Sequence, residues 1–134
     1  MSVEVALVVV TTLHLGFQAT VSAVVYPALA DVPVAAWERA HVAHSRRIAG
    51  LVVIVYGALL AVLGWALLTV PLGTGLVLAT GGTAFSLLVT ALVAAPTHGR
   101  LGGGRTPELI QRLLRADRVR TLGAAASVVG ALLV

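Results

Sequence analysis

The chain contains no cysteine in its 134 residues. This absence excludes disulfide bridges, metal sites built from thiolates and catalysis by a cysteine nucleophile. Lysine is absent as well, so the glycine run at positions 102–104 lacks both the lysine and the fixed glycine spacing of a phosphate-binding loop. The candidate functional groups are therefore the histidines, the arginines and the few carboxylate and hydroxyl side chains.

Charged residues are scarce, at 10% of the chain, whereas 59% is hydrophobic and the mean hydropathy is +1.04. A globule of this length could not keep so much apolar surface from water, so lipid must be the solvent for most of it. We predict an all-α integral membrane four-helix bundle, one domain over residues 1–134, with cytoplasmic extensions of the second and fourth helices. Its candidate spans run roughly from Val5 to Tyr26, Ile48 to Thr69, Leu76 to Ala95 and Leu122 to Val134. A span needs about 20 residues, so the fourth run is too short alone and its helix should enter from the polar segment around Asp117.

All nine basic residues are arginines, and they lie in two short segments. One segment separates the first apolar run from the second, and the other separates the third from the fourth. The connection between the second and third runs, residues 69–75, carries no charge. Because positive charge beside a span is retained in the cytoplasm during insertion, this asymmetry predicts a plasma (inner) membrane protein with both termini extracytoplasmic.

The net charge of +4 and the pI near 11.2 do not indicate a nucleic-acid partner. No stretch alternates basic with aromatic residues, and no groove-reading motif is present. Arginines beside spans instead attract anionic lipid headgroups, by roughly 1 kcal/mol each. We therefore expect membrane lipids as partners and no nucleic acid.

Prolines and capping residues predict where the helices begin and end. We expect the first helix to end near Tyr26-Pro27 and the third at Ala95-Pro96, because the residue before a proline is pushed away from helical angles. Asp31 is placed to cap the second helix, which should run for about 37 residues from Val34 to Val70. Thr106-Pro107-Glu108 predicts the start of the fourth helix, as N-cap, first-turn proline and acidic first turn.

Small residues recur at helical spacing in three of the apolar runs and favour close helix packing in lipid. The three sets are Gly16, Ala19 and Ala23; Gly57, Ala61 and Gly64; and Gly123, Ser127 and Gly130.

Polar residues form one stripe along the first run and another along the third, each on a single helix face. Unpaired polar groups are costly in hydrocarbon, so both stripes should face the bundle interior. Either the residues bond locally and His14 finds one interhelical partner, or the stripes line a pocket in which His14 binds a ligand or moves protons. The stripes comprise Glu4, Thr11, His14, Gln18 and Ser22, and Thr80, Thr83, Ser86, Thr90 and Thr97; the candidate substrate-pocket residues are Thr11, Gln18, Thr83 and Ser86.

A second group of candidate residues is expected at the cytoplasmic mouth. Glu38, His41 and His44 recur every three residues, so they face the same general side of a helix. His98 follows the third run, and Asp117 precedes the fourth. Nitrogen and oxygen ligands of this kind suit zinc, copper or non-haem iron, with His41, His44, His98 and Glu38 as the candidate ligands. The alternative is a solvated amphipathic segment with anchoring histidines and arginines.

Three segments carry a resemblance to known proteins: His41-Val-Ala-His44-Ser45-Arg-Arg47-Ile48, Pro96-Thr-His98-Gly-Arg-Leu101 and Val119-Arg120-Thr121. They resemble landmarks of a group of small bacterial four-span membrane proteins, which is more distantly similar to the anthrone-oxygenase-like membrane family. The chain departs from that pattern at Asp117-Arg118, where Asn-Trp is expected, and near Leu59, where an acidic residue is expected. The resemblance implies a membrane-embedded oxidative enzyme for a hydrophobic, aromatic polycyclic substrate, with His41, His44 and His98 near its active site.

The leading hypothesis is a small membrane-embedded, oxygenase-like enzyme that takes a lipophilic substrate laterally into the bundle. His41, His44 and His98 would be metal ligands or acid–base groups, and Arg120 would orient an anionic or enolate oxygen. His14 is the second candidate catalytic residue. The alternative is non-enzymatic: a binding or assembly subunit, or a small oligomeric transporter that uses His14. Whether the chain forms a homo-oligomer stays open.

Overall fold

The computed structural model describes all 134 residues and is all-α, with no β-strand. Its helices are α1 (Val3–Ala30), α2 (Val34–Thr69), α3 (Thr74–Leu101) and α4 (Pro107–Ala131). By length and composition α1, α2 and α3 can each cross a membrane. The first half of α4 carries arginines, and a crossing by its apolar end stays a prediction.

Two of the predicted helix boundaries are confirmed. The α2 helix ends at Thr69, and Val70 before Pro71 is extended. At the start of α4 the Thr106 hydroxyl accepts a hydrogen bond from the Leu109 amide at 3.3 Å, as an N-cap does. The prediction for Asp31 is wrong: Pro33 occupies the N-cap position of a 3₁₀ turn (Val34–Ala36) that leads into α2, and no side chain caps it.

The α1 and α3 helices both continue past the prolines that were expected to end them. A π-helical turn precedes each proline, over Val21–Val25 in α1 and Thr90–Ala94 in α3. A proline ring clashes with the carbonyl four residues earlier in a regular helix. For Pro27 and Pro96 that carbonyl lies inside the wider π turn, which makes room for the ring and lets the helix continue.

The α3 and α4 helices pack closely through small residues. A Cβ added at Gly82 would lie 2.6 Å from the carbonyl oxygen of Gly123, so neither position has room for a side chain. The Ser127 hydroxyl lies 2.8 Å from the Thr83 hydroxyl and donates to the Ala79 carbonyl at 3.0 Å. The prediction of close packing through Gly123, Ser127 and Gly130 is thus confirmed.

The other two sets of small residues do not pack against another helix. At Gly16 on α1, and at Gly57 and Gly64 on α2, an added Cβ would have no atom of another helix within 4 Å. Ala19, Ala23 and Ala61 are exposed. The expectation of close packing fails there because these faces point away from the rest of the chain.

The helices are arranged so that α1 contacts α2 on one side and α4 on the other, and α4 packs along α3. The backbones of α2 and α3 approach each other closely only near the turn that joins them. One apolar cluster surrounds that turn, and a larger one, built around Tyr26, Trp37 and Leu101, closes the opposite end. A gap therefore separates the middle parts of α2 and α3.

Candidate functional site

Three histidines converge at the end of the molecule opposite the α2–α3 turn. The ring centroids of His41 and His98 lie 4.5 Å apart, and those of His44 and His98 lie 5.5 Å apart. The Tyr26 ring lies 6.1 Å from His44 and 6.4 Å from His98. His98 therefore lies beside the two histidines of α2, a proximity that the sequence alone could not show.

The continuation of α3 past Pro96 is what brings His98 to α2. Its last turn ends at Leu101, whose carbonyl accepts a hydrogen bond of 2.9 Å from the Trp37 indole on α2. The Trp37 ring lies 5.4 Å from His41, and Arg105 lies 5.8 Å above the indole. Arg105 also donates to the Val32 carbonyl. This hydrogen bond fixes the connection between α3 and α4 against the segment that precedes α2.

The predicted metal site is not supported by this arrangement. No group of three or more histidine, aspartate or glutamate side chains is placed to hold a metal ion. The rings of His41 and His44 are tilted by 34° and 41° to His98. The Glu38 side chain is exposed and lies in a different groove, beside Trp37 and the glycine run. The Nε2 atoms of all three histidines are buried without a hydrogen-bond partner.

A buried ion pair from α4 lies beside the histidines. Arg120 donates to one carboxylate oxygen of Asp117 from Nε at 2.8 Å and from Nη2 at 2.5 Å. Nη2 also donates to the Tyr26 hydroxyl at 3.5 Å. Arg120 is 5% exposed and Asp117 is fully buried. All three hydrogen bonds use Nε and Nη2, so the two N–H groups of Nη1 remain available for a ligand.

An apolar cavity of about 310 Å³ reaches this ion pair. It occupies the gap between α2 and α3 and is open on one side. Five side chains with polar groups line it and come from all four helices: Arg120, Tyr26, Tyr56, His98 and Thr90, the last a member of the predicted polar stripe on α3. Its apolar walls are formed mainly by Phe17, Val21, Ile48, Val52, Ala94 and Ala95.

These polar groups form a chemically useful set. A guanidinium and a phenol hydroxyl are hydrogen-bond donors suited to an oxyanion, and they keep their strength where water is excluded. An imidazole without a fixed hydrogen-bond partner can accept or return a proton. The arrangement therefore suits a lipophilic molecule with one acidic or enolisable oxygen.

The polar stripes predicted near the bilayer midplane do face the interior. Thr11, His14, Gln18, Thr83 and Ser86 are all at most 1% exposed. Thr11 donates to the Leu7 carbonyl of its own helix, as expected for local satisfaction, whereas Thr83 bonds to Ser127 on α4. These five residues nevertheless do not line the cavity; His14 meets it only through Tyr56, whose ring lies edge-on at 5.3 Å.

His14 and Gln18 form a separate polar site deep in the bundle. Both ring nitrogens of His14 and both amide atoms of Gln18 are buried without hydrogen-bond partners. The Ser86 hydroxyl on α3 is also buried and unpaired. The expectation that His14 bonds to one residue across the interface is wrong in this structure.

Tyr26, Tyr56 and Trp37 are not among the candidate site residues drawn from the sequence, although all three contribute to the site. The signal that could have revealed Tyr26 is its position four residues beyond Ser22, at the end of the polar stripe on α1. Tyr56 has no comparable signal, because its role depends on how α1 and α2 are paired.

Comparison with protein-family models, with curated proteins and with solved structures finds no match to this chain in any of the three.

Proposed function

We propose that the protein is a small membrane-embedded enzyme whose lipophilic substrate enters the cavity between α2 and α3 from the bilayer. The observation that carries this proposal is the buried Arg120, which lines an apolar cavity beside a tyrosine hydroxyl and an unpaired histidine. An ionised side chain inside a membrane protein is costly and usually functional. The proposal includes four crossings of the inner membrane, with both termini extracytoplasmic.

Within this proposal the chain's own residues perform acid–base chemistry on an enolisable substrate. His98 takes a proton from a substrate CH₂ group that is conjugated with a carbonyl through an aromatic ring, with His44 behind it as the next proton acceptor. Arg120 and the Tyr26 hydroxyl hold the resulting enolate oxygen, whose negative charge their hydrogen bonds stabilise. Asp117 keeps the guanidinium in place.

The oxygenase-like step extends this chemistry with molecular oxygen as the oxidant. A CH₂ group of the substrate and one O₂ become a C=O group and one water molecule, so atoms and electrons balance. A transition metal bound by histidine is not required for this proposal, and no group of three histidine or carboxylate side chains is placed to hold one.

A second candidate function rests on the unpaired His14 and Gln18. A buried ionisable residue near the midplane, as His14 is expected to be, is typical of proton pathways in transporters. In this alternative the protein is a small transporter or an assembly subunit, and the cavity at Arg120 binds its ligand without transforming it.

A hydroxylated anthrone tests the enzymatic proposal, because it is a lipophilic ketone with an enolisable CH₂ group. Purified protein in detergent should increase oxygen uptake and formation of the corresponding anthraquinone. The matched variants are Arg120→Gln combined with Asp117→Asn, which removes the ion pair without leaving a buried charge, and Arg118→Gln at an exposed position two residues away. The double variant should lower the rate about 100-fold, as removal of an oxyanion donor does.

The same assay gives the results that would contradict the proposal. Equal rates in the double variant and Arg118→Gln, with both proteins folded, would show that Arg120 does not act on the substrate. Binding of the anthrone that depends on Arg120, with no oxygen uptake, would instead favour the non-enzymatic alternative.

A further inference from the structure

A second apolar groove lies against the cavity at Arg120 and shares a wall with it. This α1–α2 groove has a volume of about 400 Å³. Phe17, Val21 and Ile48 line both spaces, so their side chains form the partition between them. The groove is otherwise lined by residues of α1 and α2: Thr20, Val25, Ala40, Ala43, His44, Arg47 and Leu51.

The two spaces differ in chemical character. The inner cavity holds Arg120, the two tyrosine hydroxyls and His98. The groove is mostly aliphatic, and its only charged residue, Arg47, is exposed. His44 lies at the junction, since it lines the groove and its ring is 5.5 Å from that of His98 in the cavity.

We infer that the ligand has two parts, a compact acidic head and an aliphatic tail, and that the α1–α2 groove holds the tail. This inference rests on the proposed function, because the head is the part bound at Arg120. The cavity alone is at the lower limit of the roughly 300–1,000 Å³ of drug-sized sites, whereas cavity and groove together are well inside it. The tail passes between Phe17 and Ile48 into the groove.

The sequence provides the space that a tail needs. Ala40 and Ala43 contribute only methyl groups to the α2 side of the groove, so the wall is recessed there. A leucine at either position would extend into the groove. The ligand class is therefore an aromatic or enolic acid that carries an alkyl or prenyl chain.

Salicylate and a series of alkylsalicylates of increasing chain length test this inference, since they combine a small anionic phenolic head with a variable tail. Binding is measured by equilibrium dialysis against protein-free micelles, and each dissociation constant is expressed relative to the free ligand in water. The dissociation constants should fall with each added methylene. The upper bound is about four-fold per methylene buried in an apolar site. The fall should stop once the chain is long enough to fill the groove.

Ala43→Leu should flatten this dependence and weaken binding of the long-chain homologue at least about ten-fold, because the leucine displaces two or more methylenes. Binding of salicylate itself should not change. Ala49→Leu is the matched control: Ala49 is exposed on the same helix and lines neither space. Melting temperatures of both variants verify that they fold, and Ala40→Leu repeats the test at an independent position.

Three outcomes separate the claims. An unchanged chain-length dependence in both Ala43→Leu and Ala40→Leu, with binding still dependent on Arg120, would overturn the tail site alone. A chain-length effect lost equally in Ala49→Leu would also overturn it. If replacement of Arg120 together with Asp117 leaves the binding of every homologue unchanged, the head does not bind at Arg120. That result overturns the proposed function before the tail site is considered.

Discussion

Arg120 is the residue on which the local chemistry depends. A guanidinium in a bundle interior loses its hydration, and one carboxylate and one phenol replace it only in part. The two N–H groups of Nη1 can donate hydrogen bonds to an anionic ligand, which the apolar walls of the cavity cannot do. Asp117 also keeps one oxygen without a partner. Buried polar atoms are rarely left unpaired, so this free oxygen marks a position for a ligand or a water molecule.

Single residues of this site could be predicted from sequence to different extents. Arg120 and the three histidines are rare polar residues at the ends of apolar runs, and rarity alone selects them. Asp117 pairs with Arg120 three residues later on the same helix, so this ion pair is a local contact that the spacing in the sequence can predict. Tyr56 could not be identified, because only the pairing of α1 with α2 brings it beside His14 and the cavity.

Substitution of His14 by leucine separates the midplane site from the cavity. His14 is fully buried and makes no hydrogen bond, so removal of its unpaired nitrogens should raise the free energy of unfolding by about 1 kcal/mol. Binding of an alkylsalicylate at Arg120 should change less than two-fold. Thermal unfolding and dialysis measure the two effects. Loss of binding in a folded His14→Leu protein would move the functional site to the midplane.

At the scale of helices, the chain follows its local signals except at Asp31 and at two prolines. Thr106 and Pro71 act within a few residues, and their effects are predictable from sequence. Pro27 and Pro96 do not end their helices, because a π turn adds a residue just before each of them. The stability of such a turn depends on what the widened helix packs against. Its position therefore cannot be derived from the helix's own sequence, yet it decides where Tyr26 and His98 lie.

The close approach of α3 and α4 can be tested with a pair of glycines. A Cβ at Gly130 would lie 2.8 Å from the Gly75 carbonyl oxygen and would also meet the backbone of Ala79. Gly130→Ala should therefore force the helices apart and lower the free energy of unfolding by about 1–3 kcal/mol. Gly81 lies on α3 with open space around it, so Gly81→Ala should raise stability by roughly 0.5–1 kcal/mol. Equal effects of the two substitutions would contradict the packing described for α3 and α4.

For the whole molecule, composition and arginine placement predict an all-α membrane protein, and the helical architecture and its three long apolar helices agree with that. The order of the helices around the bundle could not be predicted in the same way. Small residues on α1 and α2 favour close packing as much as those on α4 do, yet only the α4 set is used within the chain. Which of several equivalent faces is buried depends on all helices together, so the gap between α2 and α3 could not be predicted.

The predicted orientation of the whole chain in the membrane can be tested by cysteine labelling. Because the protein contains no cysteine, single substitutions to cysteine report accessibility without background. Ser2→Cys and Gly73→Cys should react with an impermeant thiol reagent applied to intact cells, and Gly103→Cys should not. Gly73 and Gly103 are exposed, whereas a side chain at Gly75 would meet the backbone of Leu133 at 2.6 Å and disturb the fold.

The labelling pattern distinguishes the number of crossings from their direction. Labelling of position 103 alone would reverse the orientation but keep the crossings of α1, α2 and α3. Labelling of positions 2 and 73 together requires α1 and α2 to form a pair that crosses and returns. A cysteine at Leu133 then decides the last crossing: if α4 enters the bilayer through its apolar end, Leu133→Cys labels from outside like Ser2→Cys. If it labels only after permeabilisation, α4 stays on the cytoplasmic side, and the arginines of its first half serve as a surface anchor on anionic lipid.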